Sequence, residues 1–403
     1  MITSSKTDCV ILAGGFGKRI SKFTKHKPKP LIKITKNSFL KDLLNNLCKY
    51  NLKNIYIIGR YKGNLIKKIF DNRQINFVKI KYLHEKKVMD TGGALFLVKK
   101  YIKNNFLVVN GDTFFDVNLN EFITKSENSK KLISIALIDK KIANSEKLNN
   151  LSLTNKGIVK FSKKSNYING GIYFFKKNFL KKIKNIKFSL ENNLLRNEIL
   201  NNNVFGIKYK KFFLDIGSYE SINNGKKILK NYLKRRAIFF DRDGVINYDN
   251  GYTYKYKNFK LRPGVLKTLK ILTKEPSYIF IVTNQAGIAK GLYKKKDFID
   301  LHIKLKTYFS KKNILIDHVI FCPHHPNAKI KKYKKKCKNR KPNNGMISYL
   351  LKNWNIDKFN SCMIGDQYSD YIAAKKSNLN FIKTNKNLFL DFVTNNLFKN
   401  SLY

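Results

Sequence analysis

The stretch Ala237-Ile238-Phe239-Phe240-Asp241-Arg242-Asp243-Gly244 passes directly from an apolar run into two carboxylates on one turn. Four consecutive apolar residues followed by a glycine-containing turn predict a buried strand that ends at Asp241. Similar apolar runs, at Tyr278–Thr283 and Ser361–Gly365, alternate with longer amphipathic stretches. Because strands that alternate with helices form parallel sheets, this part of the chain is predicted to be a doubly wound α/β domain.

A second domain start of the same kind lies near the N-terminus. The apolar run Cys9-Val10-Ile11-Leu12 leads into the glycine-rich turn Ala13–Arg19, and further runs occur at Asn54–Ile58 and Phe106–Val109. The predicted fold class is therefore α/β with two doubly wound domains, an N-terminal Rossmann-like sheet and a C-terminal parallel sheet. The predicted segments are a domain over 1–225, a helical linker over 226–236 and a domain over 237–403.

The net charge of +56 is extreme and is typical of proteins that bind nucleic acid or anionic membranes. Lysine, however, outnumbers arginine and is spread along the chain, whereas proteins that recognise bases concentrate arginine on one element. We therefore attribute the charge to composition and expect neither nucleic acid nor a membrane as partner. The absence of a long apolar run, of a secretory signal and of a disulfide framework predicts a cytoplasmic protein.

The N-terminal glycine-rich turn carries features that favour phosphate binding. Gly14, Gly15 and Gly17 would leave backbone N–H groups accessible to phosphate oxygens. Lys29 stands between two prolines, so its backbone has little freedom and its ammonium can be aimed at a phosphate with a modest loss of entropy. Together with Arg19, these groups are predicted to bind a triphosphate. A dinucleotide site is not expected, because the second predicted strand ends without the carboxylate that contacts ribose.

Two carboxylates in this half follow predicted strands. Asp112 ends the sequence Asn110-Gly111-Asp112, and Asp215 lies within Phe213–Gly217. Magnesium prefers oxygen ligands and is commonly held by one or two carboxylates together with substrate phosphates. Asp112 and Asp215 are therefore candidate ligands for Mg²⁺.

At these residues the N-terminal half, over about 8–225, resembles the sugar-1-phosphate nucleotidyltransferases, and within them the heptose-1-phosphate guanylyltransferases. The resemblance implies that Asp112 and Asp215 hold Mg²⁺ and that Lys29 and Arg19 neutralise the phosphates. It further implies contacts to sugar or base from Glu85, Gly92, Asn169 and Glu191. The motifs that carry it are Leu12–Arg19, Pro28–Pro30, Glu85 with Thr91–Ala94, Asn110–Asp116, Asn169–Tyr173, Phe188–Glu191 and Leu214–Gly217. Phe161-Ser162-Lys163-Lys164 departs from the family's usual Phe-x-Glu-Lys and lacks its carboxylate near the sugar.

In the C-terminal half, the two carboxylates after the strand favour phosphoryl transfer through a covalent intermediate. Asp241 is the candidate nucleophile, and Asp243 is placed to protonate the leaving oxygen and later to activate water. A calcium-binding loop is the alternative, but the glutamate expected at the end of such a loop is absent. Three further elements fit: the Thr283 hydroxyl for a phosphate oxygen, the cations of Arg340-Lys341 for the phosphoryl charge, and Asp366 for Mg²⁺.

Over about 236–385 the chain resembles the haloacid dehalogenase superfamily, in particular the heptose 1,7-bisphosphate phosphatases, with the histidinol-phosphate phosphatases second. The resemblance implies that Asp241, Asp366 and the main-chain carbonyl of Asp243 hold Mg²⁺. The motifs that carry it are Asp241–Asn247, Gly251–Thr253, Thr283–Gly291, Cys322–Pro326, Arg340–Pro342, Gly345-Met346 and Gly365-Asp366. The residues predicted to contact the substrate are Asp249, Asn250, Gly251, Tyr252, Thr283, Asn284, Gln285, Arg340 and Lys341.

The same resemblance implies a structural zinc in the loop that contains Cys322, His324 and Cys337. Asn339 occupies the fourth ligand position of the family, and a closed zinc site almost always has four ligands. Either His325 supplies the fourth ligand or zinc is not bound, and the sequence leaves both open. Gln367 also replaces a basic residue that is common in the family.

Together these patterns predict a bifunctional enzyme of nucleotide-activated heptose synthesis. It would remove the C7 phosphate of D-glycero-D-manno-heptose 1,7-bisphosphate and transfer a nucleotidyl group, GMP from GTP, to heptose 1-phosphate. Its partners would be small sugar phosphates and a nucleoside triphosphate. The alternatives are a histidinol-phosphate-type phosphatase fused to another sugar nucleotidyltransferase, a basic phosphatase of nucleic-acid ends, and an N-terminal half that only senses sugar nucleotides.

Overall fold

The computed structural model describes residues 7–143, 150–184, 186–384 and 387–393. The outer ends of the two predicted domains, at 1–6 and 394–403, lie outside these residues. The chain divides into two compact units, of which the first ends at Lys230 and the second begins at Asn231. We call them the N-terminal unit and the C-terminal unit.

The N-terminal unit is built on a large sheet and a two-stranded ribbon. Its strands are β1 (Thr7–Ala13), β2 (Leu52–Gly59), β3 (Gln74–Ile75), β4 (Val78–His84), β5 (Phe106–Asn110), β6 (Thr113–Phe115), β7 (Ile133–Asp139), β8 (Leu151–Leu153), β9 (Val159–Phe161), β10 (Tyr167–Phe175), β11 (Val204–Tyr209) and β12 (Phe213–Asp215). The order across the large sheet is β11-β7-β10-β5-β1-β2-β4-β3, with β8 and β9 attached to β10. The ribbon consists of β6 and β12.

Helices connect these strands. They are α1 (Ser21–Thr24), α2 (Phe39–Cys48), α3 (Gly63–Phe70), α4 (Asp90–Gly93), α5 (Leu119–Asn128), α6 (Lys140–Ala143), α7 (Arg196–Leu200) and α8 (Tyr219–Leu233). Short 3₁₀ turns lie at Lys18–Ile20, Lys29–Leu31, Ala94–Val98 and Lys177–Lys182, and a π-helical turn lies at Leu190–Leu195. Helix α8 covers most of the predicted linker and begins seven residues before it.

The centre of this sheet is parallel, but the sheet as a whole is mixed. Strands β1, β2, β4 and β5 pair in parallel, whereas β10 runs antiparallel to both β5 and β7. The reason lies in the connection: β10 follows the short β8–β9 hairpin rather than a crossover helix, and short connections join antiparallel strands. The sequence pattern predicted the parallel strands and did not predict this reversal.

The C-terminal unit contains a five-stranded sheet in which every pair is parallel. The strands are β13 (Arg236–Phe240), β14 (Ser277–Asn284), β15 (His318–Cys322), β16 (Cys362–Gly365) and β17 (Asn380–Lys383), in the order β15-β14-β13-β16-β17. The helices are α9 (Val265–Lys274), α10 (Ala286–Ala289), α11 (Lys295–Lys311), α12 (Gly345–Asn353), α13 (Tyr368–Lys376) and α14 (Leu388–Val393).

Strand β13 shows why this sheet is covered on both faces. Ile238 and Phe240 pack into a core with α9, α11 and α14, whereas Ala237 and Phe239 pack into a second core with α12 and α13. Successive side chains of a strand point to opposite faces, so a continuous apolar run needs helices on both sides. This is the doubly wound arrangement, and it confirms the predicted fold class.

The carboxyl ends of the central strands bring together the residues on which the sites depend. Asp241 follows β13, Thr283 lies near the end of β14, and Asp366 follows β16. Since β13 pairs with both β14 and β16, these three residues lie at one edge of the sheet. Among the described residues, no helix combines the length and the apolar character needed to cross a membrane.

In the N-terminal unit, Gly111 allows a similarly close approach between strands. Its N–H donates to the carbonyl oxygen of Leu12 at 2.9 Å, so the turn after β5 lies against the end of β1. A Cβ atom on Gly111 would stand 2.6 Å from that same oxygen. The contact places Asp112 beside the glycine-rich turn.

We predict that Gly111→Ala destabilises the N-terminal unit by about 1–3 kcal/mol, because backbone atoms must move to admit the methyl group. The measurement is urea unfolding followed by far-ultraviolet circular dichroism, with the fluorescence of Trp354, the single tryptophan of the chain, as the signal of the C-terminal unit. Gly15→Ala is the matched control, since a Cβ atom there meets no heavy atom within 4 Å. An unchanged dichroism transition in Gly111→Ala would contradict the predicted strain.

Candidate active sites

In the N-terminal unit, the predicted phosphate and metal residues lie close together. The Nζ atom of Lys29 is 2.6 Å from Oδ2 of Asp112. Lys29 begins a 3₁₀ turn whose direction is set by Pro28, so the two prolines around the lysine hold it in place. Asp215 lies opposite Thr113 in the β6–β12 ribbon, and the N–H of Ile216 donates to the carbonyl oxygen of Asp112 at 3.0 Å. The ribbon thus brings Asp112 and Asp215 side by side.

Arg19 is carried to the same place by Gly17. Gly17 has a left-handed backbone with φ of 64°, and it precedes the 3₁₀ turn that contains Arg19. A Cβ atom on Gly217 would lie 3.0 Å from Asp215 Oδ1 and 3.8 Å from a guanidinium nitrogen of Arg19, so both side chains border Gly217. A cation and two carboxylates therefore surround the turn after β12.

Two cavities open beside these residues. The first, of about 500 Å³, is bordered by Gly14, Gly15, Glu85 and Asp112. The second, of about 890 Å³, is bordered by Arg19 and Asn169. Both share a wall formed by Asn110, Glu191 and Asn192.

Glu85 lies in the wall of the first cavity, directly beneath the glycine-rich turn. Its Oε1 accepts the N–H of Met89 at 2.6 Å, and its Oε2 would be 2.7 Å from a Cβ atom on Gly14. Glycine is therefore needed at position 14 for the turn to close over this carboxylate. Burial raises the pKa of Glu85, and the neighbouring Arg60 opposes that shift.

Glu191 and Asn169 are linked through a buried tyrosine. The Tyr173 hydroxyl donates to Glu191 Oε1 at 3.0 Å and accepts from Asn169 Nδ2 at 2.9 Å, while the Thr91 hydroxyl donates to Glu191 Oε2 at 3.0 Å. Gly92 is placed differently: its N–H donates to the carbonyl oxygen of Phe188 at 3.0 Å, and its Cα packs against the Phe188 ring. It supports the turn behind the cavity, whereas Thr91 borders the cavity itself.

Sequence reasoning missed several residues that border these cavities. They are Arg60, Asp90, Thr91, Ser189, Asn192 and Arg196. Thr91 and Ser189 lie inside the quoted motifs, so the motifs could have indicated them. Arg60 is held over the Phe16 ring at 4.6 Å, a long-range contact that no local pattern indicates.

In the C-terminal unit, a buried lysine joins two carboxylates. Lys341 Nζ lies 2.8 Å from Asp241 Oδ1 and 2.7 Å from Asp370 Oδ1, and it donates to the carbonyl oxygen of Val282 at 2.9 Å. Asn284 fixes the lysine backbone, accepting from its N–H and donating to its carbonyl oxygen, each at 3.0 Å. Of the two predicted cations Arg340 and Lys341, the one at the candidate nucleophile is Lys341.

The electrostatics of this group follow from its burial. Burial raises the pKa of Asp241 to about 7, with Lys341 opposing the shift and Asp370 adding to it. Burial alone would lower the pKa of Lys341, but the Asp241 and Asp370 carboxylates outweigh it and raise that pKa above its ordinary value. The lysine is therefore a permanent cation at this site.

A metal-binding geometry is present at the same edge of the sheet. Oxygen atoms of Asp241, Asp366 and Asp370 lie within 4.8 Å of one another. Oδ1 of Asp366 is buried without a hydrogen-bond partner among the described residues, and Oδ2 accepts from Gln367 Nε2 at 2.8 Å. A hard cation with oxygen ligands fits this set. Asp370, on helix α13, also belongs to this group of carboxylates, although the sequence analysis did not predict it. Its position four residues after Asp366 could have indicated it.

Asp243 lies outside that group of three carboxylates. Its carboxylate accepts from Arg242, from Asn247 Nδ2 at 3.0 Å and from Gln285 Nε2 at 2.9 Å. Gln285 also donates to the Thr283 hydroxyl at 2.9 Å, and both side chains are buried. Gln285, predicted to contact the substrate, thus positions Asp243 and Thr283.

The predicted loop Asp249–Tyr252 forms an exposed rim. The Asp249 carboxylate accepts the N–H of Gly251 at 3.0 Å, and Asn250 is exposed between them. Tyr252 has φ of 52°, and its hydroxyl accepts from Lys290 Nζ at 2.6 Å. Arg340 lies near Tyr252 and donates to the carbonyl oxygen of His324 at 3.4 Å.

The cysteine and histidine loop brings together three ligand atoms. The thiols of Cys322 and Cys337 and a ring nitrogen of His324 lie within 4.8 Å of one another, with Cys322 Sγ 3.7 Å from His324 Nδ1. His325 is not a member of this group, and its Nδ1 accepts the N–H of Asn327 at 3.1 Å. The side-chain oxygen of Asn339 packs against Gly345.

Comparison with known proteins agrees with this division into two sites. The nucleotidyl transferase family model matches residues 8–231, more than half of the chain, and the polynucleotide kinase 3 phosphatase model matches residues 236–394. In the N-terminal part, HddC from Yersinia pseudotuberculosis is a solved structure with 26% identity and a TM-score of 0.48, covering 55% of this chain and 99% of that one.

Two curated proteins that are similar to the C-terminal part are both named heptose-1,7-bisphosphate 7-phosphatases. The D-glycero-beta-D-manno-heptose-1,7-bisphosphate 7-phosphatase of Rhodopseudomonas palustris is 38% identical over 146 residues, which are 36% of this chain and 81% of that protein. The D-glycero-alpha-D-manno-heptose-1,7-bisphosphate 7-phosphatase of Burkholderia mallei is 41% identical over 143 residues, 35% of this chain and 75% of that protein.

These findings confirm the predicted combination of a nucleotidyltransferase part and a phosphatase part. The chain belongs to the nucleotidyl transferase family through its N-terminal unit and to the family of the heptose-1,7-bisphosphate 7-phosphatases through its C-terminal unit.

Proposed function

We propose that the chain catalyses two consecutive steps of nucleotide-activated heptose synthesis. The C-terminal unit would remove the C7 phosphate of D-glycero-D-manno-heptose 1,7-bisphosphate, and the N-terminal unit would transfer GMP from GTP to the heptose 1-phosphate that remains. The observation that carries the proposal is the 38% identity of the C-terminal unit to a heptose bisphosphate phosphatase, in a chain that also contains a nucleotidyltransferase unit. The product of the first reaction is the substrate of the second.

The phosphatase step would use Asp241 as the nucleophile. An Asp241 oxygen attacks phosphorus, the bond from phosphorus to the C7 oxygen breaks, and its electron pair goes to that oxygen, which takes a proton from Asp243. Water then attacks the aspartyl phosphate, gives a proton to Asp243 and frees inorganic phosphate. Lys341, 2.8 Å from Asp241, neutralises charge as the phosphoryl group transfers.

Enzymes of both families generally use Mg²⁺. In the C-terminal unit Asp241, Asp366 and the main-chain carbonyl of Asp243 would hold it, with Asp370 beside them, and in the N-terminal unit Asp112 and Asp215 would hold it. When bound, the ion stabilises the negative charge on phosphate oxygens. Zinc would take Cys322, His324 and Cys337, and His325 is not a member of this group among the described residues.

The rim of the phosphatase site suits a substrate with a second phosphate. Lys290 and Arg340 flank Tyr252. Burial lowers the pKa of His325, and the nearby charges of Arg340 and Lys290 lower it further. No carboxylate in the described part of the chain forms an ion pair with Lys290 or Arg340. A rim of unneutralised cations can bind the C1 phosphate while the C7 phosphate reacts.

The transferase step would depend on position and charge rather than on a protein nucleophile. The sugar phosphate attacks the α-phosphorus of the nucleotide in line, and pyrophosphate leaves. Lys29 and Arg19 would neutralise the phosphates, and the N–H groups of the glycine-rich turn would donate hydrogen bonds to the phosphate oxygens. Because Lys29 is paired with Asp112 at 2.6 Å, its ammonium would exchange that carboxylate for a phosphate oxygen when the nucleotide binds.

The choice of guanine is supported by the chemistry of Glu85. A carboxylate accepts hydrogen bonds only, and guanine presents two adjacent donors, its N1–H and its amino group, to one such partner. Glu85 faces the smaller cavity with one oxygen already bonded to Met89 and the other below Gly14. A pocket that ends in this carboxylate would favour GTP over nucleotides whose bases present fewer donors.

Phosphatase action on polynucleotide ends is the second candidate, because the family model that matches residues 236–394 is named for it.

In the test, the full chain and Mg²⁺ are incubated separately with heptose 1,7-bisphosphate, with histidinol phosphate and with a 3′-phosphorylated oligonucleotide. Each of the four NTPs is added with the heptose substrate, and phosphate and pyrophosphate are measured independently. We expect phosphate release from heptose bisphosphate, followed by pyrophosphate release with GTP. Faster release from the oligonucleotide would favour the second candidate and contradict the first.

We predict that Lys341→Met lowers kcat of phosphate release by about 10²–10³-fold, because the charge beside the transferring phosphoryl group is lost. Steady-state kinetics of phosphate release measure this. Lys336→Met, an exposed lysine of the same loop, is the control and should keep wild-type activity. Phosphatase activity that survives in Lys341→Met would exclude the proposed role.

For Lys290→Met we expect KM for heptose 1,7-bisphosphate to rise about tenfold, because a charged partner of the C1 phosphate is removed. KM for heptose 7-phosphate, which has no C1 phosphate, should not change. Lys296→Met provides the control on the neighbouring helix. An equal rise in KM for both substrates would show that Lys290 does not distinguish the second phosphate.

Glu85→Gln should reduce kcat/KM for GTP by about 10- to 100-fold, since one charged acceptor for two donors is replaced by an amide. Pyrophosphate release with each NTP measures the change, and the preference for GTP over UTP should shrink. Glu121→Gln, on the surface of α5, is the control. An unchanged order of NTP preference would mean that Glu85 does not select the base.

A further inference from the structure

The side chain of Arg242 is fully buried between Asp241 and Asp243, and the reaction described above gives it no task. Its exposure is 0%. A buried guanidinium carries a large desolvation penalty unless charged and polar partners surround it. The partners that Arg242 has therefore indicate what it does.

The guanidinium of Arg242 holds the acid–base carboxylate with a two-pronged contact. Nη2 lies 2.8 Å from each oxygen of Asp243, and Nε donates to Oδ1 at 3.1 Å. The planar shape of the guanidinium matches that of a carboxylate, so the contact fixes the plane of the Asp243 group and not only its position.

The same nitrogen reaches the rim loop. Nη2 of Arg242 also donates to the carbonyl oxygen of Thr253 at 2.8 Å, and Thr253 directly follows the loop Asp249–Tyr252. The guanidinium lies 5.4 Å from the centre of the Phe298 ring, on α11. Arg242 therefore joins the acid–base residue to the loop that would contact the substrate.

Two amides complete the environment of Asp243. Asn247 donates to Oδ1 at 3.0 Å and Gln285 donates to Oδ2 at 2.9 Å, while the Tyr293 hydroxyl donates to the side-chain oxygen of Gln285 and so fixes the direction of its amide. With Arg242, each oxygen of Asp243 accepts from a guanidinium and from an amide. This arrangement stabilises the carboxylate that remains after a proton has been given to the leaving oxygen.

We infer that Arg242 is a positioning residue that aims Asp243 for proton transfer and couples it to the substrate loop 249–253. The inference rests on the phosphatase reaction proposed above. In that reaction the C7 oxygen leaves as an alkoxide unless Asp243 protonates it, so the orientation of Asp243 affects the rate of bond breaking.

This role has a consequence that depends on the leaving group. A p-nitrophenolate ion leaves readily without a proton, whereas the oxygen of a sugar does not. Misplacing Asp243 should therefore slow transfer of the phosphoryl group to Asp241 much more for a sugar phosphate than for p-nitrophenyl phosphate, whereas the later attack of water on the aspartyl phosphate is common to both substrates. A residue that only stabilised the fold would slow both reactions together.

The experiment measures kcat and KM of the full-length chain for heptose 1,7-bisphosphate and for p-nitrophenyl phosphate in Arg242→Gln and Arg242→Lys. For Arg242→Gln we expect kcat/KM for the sugar phosphate, which reports the steps up to departure of the leaving group, to fall by about 10²-fold, the lower limit of the usual contribution of acid–base catalysis, and kcat/KM for the aryl phosphate to change little. Arg242→Lys should recover part of the loss, because it restores the charge without the two-pronged contact. Arg236→Lys, at the opposite end of β13 and paired with Glu275, is the control and should leave the ratio of the two rates unchanged.

The inference is overturned if kcat/KM for both substrates falls equally in a variant that melts like the wild type, or if neither value falls. Should Arg242→Gln unfold, the ratio of rates in Arg242→Lys decides in the same way. A wild-type chain that hydrolyses p-nitrophenyl phosphate but not heptose bisphosphate would instead contradict the proposed substrate. The ratio would then be taken with an alkyl phosphate that the chain does hydrolyse, so the two failures remain distinct.

Discussion

The buried ammonium of Lys341 lies between the carboxylates of Asp241 and Asp370, and the phosphatase reaction that we propose depends on this contact. Without a cation, two carboxylates buried at the same edge of a sheet would repel each other, and one of them would take up a proton. Lys341 opposes the rise in the pKa of Asp241, so it would favour the ionised form that the proposed reaction needs as nucleophile. Strand β14 holds the lysine in this position, because Asn284 accepts from the Lys341 N–H and the Val282 carbonyl oxygen accepts from its ammonium.

The fold positions this contact. Both units bring charged side chains together at the ends of strands, but they use different elements to do so. In the C-terminal unit, three neighbouring parallel strands end at one edge and deliver Asp241, Thr283 and Asp366. In the N-terminal unit, the parallel strands β1 and β5 deliver the glycine-rich turn and Asp112, and a separate ribbon adds Asp215. Each unit pairs a lysine with an aspartate, and in both proposed reactions this lysine would neutralise a phosphate.

The sequence could predict those features that depend on local pattern. The apolar run Ala237–Phe240 predicted the buried strand that ends at Asp241, and the alternation of such runs with amphipathic stretches predicted the doubly wound sheet. It could not predict the antiparallel β10, which follows from a short hairpin. It also could not show that Lys341 rather than Arg340 faces Asp241, or that Gln285 supports Asp243, because side-chain contacts between distant segments leave no periodic signal. The roles assigned to the individual site residues remain proposals.

The measurement that tests the central claim most directly is to trap the phosphorylated enzyme. The full-length chain with Mg²⁺ is mixed with heptose bisphosphate labelled in its C7 phosphate, quenched in acid within one turnover, and digested for mass spectrometry. We expect the label on the peptide containing Asp241 and no label in Asp241→Asn. Complete turnover of the substrate without any labelled peptide, or label at another residue, would contradict this claim.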